Sequence, residues 1–283
     1  MVRISRVSVE RGWCMLGSLS VRRAISLVFS WVCVLGSGCE ERSAPPLSSL
    51  APAPLQPLAA ATADGGTDPH RLPTAPVWGS PLPTSAVRVT FSAGLARVGT
   101  ATASLGPDAG VAPLLSAIGK GPALLVPDDA TYMAEIAPLL AALDDAKVPA
   151  WILHPGGAVA FAVELRDEAA FDAWLDDPKP GKLRVIQRQD GLELVSGIGK
   201  LPGPDPNGPT VPVRGGRLDV ATTREGLERL QGRFHAPGAC LVPSFGTELR
   251  AVGTVLSAFW SGPKDPLFDT VCLVYPRPGA ARH

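Results

Sequence analysis

Acidic and imidazole side chains follow two apolar stretches that are predicted to be neighbouring strands. Asp128 and Asp129 come directly after ALLVP (123–127), and His154 follows WIL (151–153). The carboxyl ends of parallel strands meet at one edge of an open α/β sheet, where ligands bind. A carboxylate and an imidazole held together there could transfer protons. We expect the alternative, in which Asp129 caps the next helix and His154 lies at a solvated rim, because no nucleophile or third partner is evident.

Ser244 occupies the corresponding position after a second apolar stretch, ACLVP (239–243). Its context, VPSFG, lacks the Gly-x-Ser-x-Gly turn of many hydrolases, so the sequence does not indicate a hydrolase nucleophile. We therefore group Asp128, Asp129, His154 and Ser244 as a candidate ligand-binding edge and assign no catalytic residue.

Metal and phosphate sites are not indicated by the spacing of their usual residues. The four histidines and the cysteines show no ligand spacing typical of a zinc site. Gly119–Gly121 and Gly197–Lys200 lack the full spacing of a phosphate-binding loop. The sequence therefore predicts neither a metal nor another cofactor.

Cys240 and Cys272 fall in two stretches that are predicted to be paired strands. Neighbouring strands lie about 4.8 Å apart, which is compatible with the roughly 4.4–6.8 Å between the Cα atoms of a disulfide. If the chain is exported, Cys14 and Cys33 are removed with the signal and Cys39 carries lipid. Two of the five cysteines then remain, and an even number in an oxidising compartment favours pairing. We predict a disulfide between Cys240 and Cys272; the alternative is two small buried apolar side chains.

The two apolar stretches begin a longer internal repeat. Residues 123–143 align without a gap to residues 239–259, and seven of the 21 positions are identical. Apolar side chains recur at helical spacing in both segments. They are Met133, Ile136, Leu140 and Leu143 in the first and Leu249, Val252, Leu256 and Phe259 in the second. The pattern predicts a duplication, and the alternative is chance similarity between two strand-helix-strand units.

Each repeat unit is predicted to contain a strand, a turn, a helix and a second strand. The strands are apolar runs without alternation, which is typical of parallel strands covered on both faces. Between the units we predict a strand, a short helix and a hairpin that turns at Asp190-Gly191. The fold class is α/β, with α+β as the alternative. We expect mixed sheets with helices packed on them, and a pseudo-dimer within one chain.

Two helix boundaries are predicted from local signals. Pro138 falls inside the helix of the first unit, so that helix is expected to kink there or to begin later. Thr222 and Glu225 stand at capping-box spacing, which predicts a helix over residues 223–234 before the second unit, with Thr222 as its cap.

The first 39 residues have the pattern of a secretory signal. Arg22 and Arg23 precede the apolar run Ala24–Gly36, which is followed by Ser37-Gly38-Cys39. The run is shorter than the roughly 20 residues that span a bilayer as a helix. Met15 is an alternative start that would give a signal of more ordinary length. We predict export across a membrane.

The end of this segment, VLGSGC, resembles a bacterial lipobox. The resemblance implies that Cys39 becomes the new N-terminus, carries acyl chains and anchors the protein to a membrane. The chain departs from the motif in having Gly36 where a leucine is usual, with Leu35 one place earlier. An ordinary cleaved signal or an uncleaved anchor, with Cys39 incidental, are the alternatives.

Composition divides the rest of the chain. Residues 40–85 are rich in Pro, Ala and Ser without an apolar period, so we predict a disordered tether. The first unit then covers 86–160, connecting strands and a hairpin cover 161–212, and the second unit covers 213–283.

The chain has 26 basic and 26 acidic residues. This balance gives no basic surface, so no nucleic-acid partner is expected.

The order of an apolar strand, an acidic turn, a helix and a strand in Leu124–Leu153 resembles the periplasmic domain of the ExbD/TolR family. The resemblance implies a small α/β module that dimerises and approaches the cell wall beside a proton-driven motor, with Asp128 matching the acid after the family's strand. Family members also have a membrane helix with an ionisable Asp. The segment Ala24–Gly36 contains no acid, so an accessory without proton coupling is expected.

These features lead to one functional hypothesis and two alternatives. The hypothesis is a lipid-anchored lipoprotein of the bacterial cell envelope, with its domain in the periplasm, that binds peptidoglycan or an envelope protein without catalysis. The first alternative is an exported, hydrolase-like enzyme that uses Asp128 and His154. The second is a structural lipoprotein without a specific ligand.

Overall fold

The elements of the chain alternate between short strands and helices. The computed structural model describes residues 76–107, 110–128, 130–178 and 181–276, so the predicted signal segment, Cys39, most of the tether and Asp129 lie outside the described residues. The strands are β1 (Val87–Ser92), β2 (Leu95–Val98), β3 (Ala101–Ser104), β4 (Ala123–Val126), β5 (Ala150–Leu153), β6 (Ala160–Asp167), β7 (Lys182–Gln187), β8 (Gly191–Ser196), β9 (Gly199–Lys200), β10 (Val211–Pro212), β11 (Gly238–Pro243), β12 (Trp260–Gly262), β13 (Asp265–Pro266) and β14 (Thr270–Tyr275). The helices are α1 (Ala112–Ile118), α2 (Met133–Asp145), α3 (Glu168–Asp176), α4 (Val220–Phe234) and α5 (Leu249–Leu256), which continues into a 3₁₀ turn at Ser257–Phe259.

One mixed sheet contains strands from both of the predicted repeat units. Its strand order is β10-β8-β7-β11-β14-β6-β5-β4-β1-β2-β3, with β9 beside β8, while β12 and β13 form a separate ribbon. Strands β1, β4 and β5 run parallel to one another, and so do β7, β11, β14 and β6. The two parallel groups meet at the antiparallel pair β5–β6 and therefore run in opposite directions. The α/β class predicted from the sequence is confirmed.

The core lies between the sheet and four of the helices. The eight apolar side chains predicted from helical spacing, four on α2 and four on or just after α5, are all at 0% exposure and belong to one buried cluster with strand residues. The other face of the sheet carries a smaller cluster of Cys240, Cys272 and Val274, covered by Phe171 and Trp174 of α3. The helical periodicity therefore identified the buried faces correctly.

The structure corrects the predicted start of α4 and excludes a start of α2 after Pro138. Helix α2 begins at Met133 and continues through Pro138 to Asp145, with Pro138 itself buried. An internal proline costs about 3 kcal/mol, which burial of the apolar face of α2 offsets. Helix α4 begins at Val220 rather than Thr223. The cap is Asp219 and not Thr222, and the Asp219 carboxylate accepts from the backbone N–H of Thr222 at 3.0 Å.

The last residues of the predicted tether belong to the folded part of the chain. Ser80 pairs with Ala160 at the start of β6 through two backbone hydrogen bonds of 3.1 and 3.0 Å. The guanidinium of Arg224 lies 4.1 Å from the centre of the Trp78 ring and donates to the Pro76 carbonyl at 3.0 Å. The prediction of a disordered tether that reaches residue 85 is therefore wrong from Pro76 onward. Composition alone does not reveal this segment as folded, because Trp78 is held by Arg224, which is distant in the sequence.

Candidate functional site

The loops that follow β4 and β11 meet each other and form a seam between the two groups of strands. The backbone N–H of Leu249 donates to the carbonyl of Thr131 at 2.8 Å, and the N–H of Met133 donates to the carbonyl of Thr247 at 2.9 Å. Tyr132 follows Thr131 and precedes Met133, and Glu248 follows Thr247 and precedes Leu249. Tyr132 and Glu248 pair with each other as an antiparallel bridge. The loop seam therefore joins the first residues of α2 and α5.

Asp128 and Ser244 make corresponding side-chain contacts within these loops. The Asp128 carboxylate accepts from the hydroxyl of Thr131 and from the backbone N–H of Ala130, the latter at 3.2 Å. The hydroxyls of Ser244 and Thr247 are 2.9 Å apart. Short polar side chains that bond the chain two or three residues later stabilise tight turns. Both side chains thus shape the loop that leads into a helix.

His154 follows β5, the strand beside β4. Its Nδ1 accepts the backbone N–H of Gly156 at 2.9 Å, and its ring lies edge-on to Phe161 with 6.3 Å between centroids. Partial burial lowers the pKa of His154 below its usual value of 6.5. Nδ1 is an acceptor in this contact, so the proton of the neutral ring lies on Nε2. His154 is therefore a neutral imidazole at pH 7.

The four residues of the predicted ligand-binding edge are not joined into one constellation by the contacts of the described residues. Asp128 and His154 follow neighbouring parallel strands, but no hydrogen bond or ion pair between described side chains connects them. Ser244 follows β11, which runs opposite to β4 and β5, and Asp129 lies outside the described residues. The structure therefore has three separate features here: the Asp128 carboxylate in one turn, the Ser244 hydroxyl in another turn, and the partly buried His154.

A groove lies at the carboxyl ends of β7 and β11, which are neighbouring parallel strands. We call it the edge groove; its volume is about 770 Å³, and its lining includes Ile186, Gln187, Val242, Pro243 and Phe245. Gln187 is only 5% exposed, and its Oε1 has no hydrogen-bond partner among the described residues. Gln187 is not among the site residues that the sequence predicts. Its signal was the alternation of KLRVIQ, which puts Gln187 in the same phase as the buried Leu183 and Val185.

A disulfide joins Cys240 to Cys272 on the opposite face of the sheet from α5. The two cysteines are direct partners in the register of β11 and β14, with their Cα atoms 4.4 Å apart. Each is 1% exposed. A cavity of about 330 Å³ beside them is lined by Arg166, Trp174 and Lys182, among others. Arg166 is paired with Glu164 at 2.9 Å, and Lys182 donates to the carbonyl of Leu175 at 2.9 Å, so these cations are already bonded.

Comparisons with known proteins add no relative. No protein-family model, curated protein or solved structure matches the chain. Within the described ranges, no helix is both long enough and apolar enough to cross a bilayer. In the same ranges, no three side chains of His, Cys, Asp or Glu are grouped closely enough to hold a metal ion.

Proposed function

We propose that this chain is a lipid-anchored protein of the bacterial cell envelope, similar to the periplasmic domains of the ExbD/TolR family. In this proposal it is an accessory that binds the cell wall or an envelope protein, performs no catalysis and does not couple to protons. Acyl chains on Cys39 hold it to a membrane, and the tether lifts the domain into the periplasm.

The loop seam is the observation that carries the proposal. The backbone N–H of Leu249 donates to the carbonyl of Thr131, and the N–H of Met133 donates to the carbonyl of Thr247. In the aligned segments, Leu249 corresponds to Met133 and Thr247 corresponds to Thr131. Two identical subunits around a two-fold axis contact each other in this reciprocal way. The same pattern within one chain supports a pseudo-dimer made by duplication of an ExbD/TolR-like module.

Strand pairing supports the duplication independently of the aligned letters. In the first half, β2 pairs antiparallel with β1, which is followed across the sheet by the parallel strands β4 and β5. In the second half, β8 pairs antiparallel with β7, followed by the parallel strands β11 and β14. On this basis the repeating modules begin at β1 and β7, and β6 with α3 connects them. The second module thus starts earlier than the sequence repeat indicated.

Sedimentation with purified peptidoglycan tests the proposal. The chain from Glu40 onward is mixed with insoluble peptidoglycan at moderate salt, and the bound fraction is measured after centrifugation. We expect binding that decreases when Tyr132, 39% exposed at the loop seam, is changed to Ser. The matched control is Ile198→Ser, because Ile198 is exposed and lies outside the seam.

The outcomes separate the two kinds of partner. Binding by the wild type and by Ile198→Ser, but less by Tyr132→Ser, supports contact between the seam and the wall. If the wild-type chain stays in the supernatant, the wall-binding part of the proposal is wrong. Crosslinking in intact cells would then test an envelope protein as the partner.

A further inference from the structure

The two ends of the large sheet differ in how their edges are protected. At one end, β8 is flanked by the short strands β9 and β10, and the loop between these two strands contains several prolines. Lys200 belongs to β9, and Pro212 of β10 has no N–H group to offer a further strand. Lysine, proline and very short strands are common means by which proteins keep a sheet edge from pairing with another chain. This end of the sheet is therefore protected.

The other end of the sheet is β3, which has neither a lysine nor a proline. Its sequence is ATAS, without a charged residue, and among the described residues it pairs with β2 only. The N–H of Leu105, just after β3, donates to the carbonyl of Gly94 at 2.8 Å. The alternation of an antiparallel ladder then directs the N–H and C=O groups of Thr102 and Ser104 away from β2. We call this outer side of β3 the β3 edge; both residues present a donor and an acceptor there.

The two faces of the sheet beside the β3 edge differ in chemistry. On the face of the main core, the apolar side chains around this edge are only partly buried; they are Ala101, Leu105, Val111 and Leu115. On the other face, the exposed Arg97 of β2 is the register partner of the exposed Thr102. Arg97 has no ion pair with a described residue. The stretch from Val87 to Ser104 contains two charged residues, both arginines.

These faces define the chemistry of a strand that would fit the β3 edge. Successive side chains of a strand point to opposite faces, so a fitting strand has apolar residues on one face and carboxylates on the other. Arg97 lies two strands from the added strand, about 10 Å away at the usual spacing, which an arginine and a glutamate side chain together can span. A second copy of β3 would bring only threonine and serine to this arginine. The charge therefore favours a different chain as the partner.

We propose that the β3 edge binds an extended segment of another protein as an added strand, and that this segment alternates apolar residues with Asp or Glu. Backbone hydrogen bonds to Thr102 and Ser104 supply the affinity, and Arg97 selects the acidic face. The inference does not depend on contact between the loop seam and the cell wall, because the β3 edge lies on other strands and its test contains no peptidoglycan.

Binding of synthetic peptides to the full chain tests the charge selection. The probe is a fluorescently labelled peptide of sequence TEVEVET, which has all its glutamates on one face of a strand, and TKVKVKT is its cationic control. We expect fluorescence anisotropy to show about tenfold tighter binding of the glutamate peptide by the wild type, and Arg97→Glu to reverse this preference. Arg88→Glu is the matched control, because Arg88 lies on β1, one strand further from the edge, and it should keep the preference.

Variants of Thr102 test the backbone contact. Thr102→Pro removes an N–H that points away from β2, and proline is tolerated in an edge strand at such a position. We expect this variant to bind TEVEVET about tenfold more weakly, since one hydrogen bond is lost. Thr102→Ser keeps the N–H and should bind as the wild type does. Thermal unfolding of both variants checks that they are folded.

Amide hydrogen exchange in the wild-type chain needs no variant. We expect the amides of Thr102 and Ser104 to exchange quickly in the isolated chain and about tenfold more slowly with saturating TEVEVET, because bonded amides exchange only on opening. The amide of Arg97, which lies in the ladder to β1, should not change.

Four outcomes would overturn the proposal. Three of them concern the peptides: TEVEVET does not bind the wild type, Thr102→Pro binds it as tightly as Thr102→Ser does, or Arg97→Glu keeps the preference for the glutamate peptide. The fourth is slow exchange of Thr102 and Ser104 without any peptide. In that case the β3 edge is already covered, by the chain itself or by a second copy, and it is not open to another protein.

Discussion

Thr131 and Leu249 are joined by a backbone hydrogen bond of 2.8 Å between the two halves of the chain, and Met133 and Thr247 are joined by a second one of 2.9 Å. Both donors, Leu249 and Met133, are the first residues of helices. A helix leaves its first N–H groups without partners inside the helix. Each half therefore satisfies one such group of the other half, and the loop seam is part of the helix capping.

Proline substitutions at the two donors are predicted to weaken the seam without breaking the helices. Proline is tolerated at the first helical position, and the preceding residues, Tyr132 and Glu248, are already extended as a following proline requires. We expect Leu249→Pro to be less stable than Leu249→Ala by about 1 kcal/mol, because only the former removes the N–H. Met133→Pro should behave in the same way relative to Met133→Ala.

Urea denaturation of the purified variants measures these differences. Glu168 begins α3 after an extended residue and has no bond across the seam, so Glu168→Pro against Glu168→Ala is the matched control. A difference at Glu168 as large as the one at Leu249 would mean that proline itself, and not the loss of the seam bond, causes the effect.

Asp128 is predicted to act in the turn and not in proton transfer. Asp128→Asn keeps a carbonyl oxygen for the N–H of Ala130 and the hydroxyl of Thr131, so we expect little loss of stability. Asp128→Ala removes the acceptor and is expected to lower the free energy of unfolding by about 1–2 kcal/mol. Thermal and urea unfolding of both variants check this. An enzymatic activity lost in Asp128→Asn at unchanged stability would instead support the alternative of an exported enzyme.

The elements that local patterns specify were predictable, and those that depend on distant contacts were not. The helical faces of α2 and α5 follow from apolar spacing alone, and the hairpin β7–β8 follows from Asp190-Gly191. In contrast, the two groups of strands run in opposite directions because β6 pairs antiparallel with β5 and parallel with β14. The sequence does not specify these partners of β6. Composition alone assigns Trp78 to the tether, because its partner Arg224 is far away in the sequence.

In the candidate site, too, local patterns predict where residues lie along the strands but not which residues contact each other. Asp128 and Ser244 do follow strands β4 and β11, as the apolar runs before them predict. Their roles depend on Thr131 and Thr247, and no local pattern predicts that the two loops contact each other. Gln187 ends an alternating strand, where a polar side chain is usually exposed, and its burial at 5% exposure depends on tertiary contacts that no local pattern specifies.

Acid is predicted to destabilise the domain partly through His154. The pKa of this histidine is lowered by burial, so below its usual value of 6.5 the unfolded chain binds the proton more readily than the folded chain. The contribution of His154 to stability is complete above pH 6.5 and is lost as the pH falls from there toward the lowered pKa. We expect His154→Asn, whose Oδ1 can still accept from Gly156, to lose less stability than the wild type between pH 7 and pH 5. Urea midpoints measured across this range test the prediction; parallel curves for the two proteins would contradict it.

Cys39 is predicted to decide whether the protein sediments with membranes. If it carries acyl chains, Cys39→Ala should abolish incorporation of labelled fatty acid and move the protein from the membrane fraction to the soluble periplasmic fraction, since apolar chains supply about 0.8 kcal/mol per buried methylene. Cys33→Ala is the matched control, because Cys33 lies inside the apolar run of the signal. Fatty-acid labelling that persists in Cys39→Ala would show that another residue is modified.

The disulfide is predicted to contribute a large share of the stability of the domain. Cys240 and Cys272 are separated by 32 residues, and closing a loop of this size lowers the entropy of the unfolded chain by an amount worth about 4 kcal/mol. Reductant should therefore shift the urea midpoint of the wild-type protein strongly downward, whereas the double variant Cys240→Ala, Cys272→Ala should unfold at a low midpoint with or without reductant. Thiol titration of the denatured, unreduced chain from Glu40 onward should find neither cysteine reactive. Two reactive thiols in that assay would mean that the cysteines are buried apolar side chains and that the stability of β11 and β14 comes from packing alone.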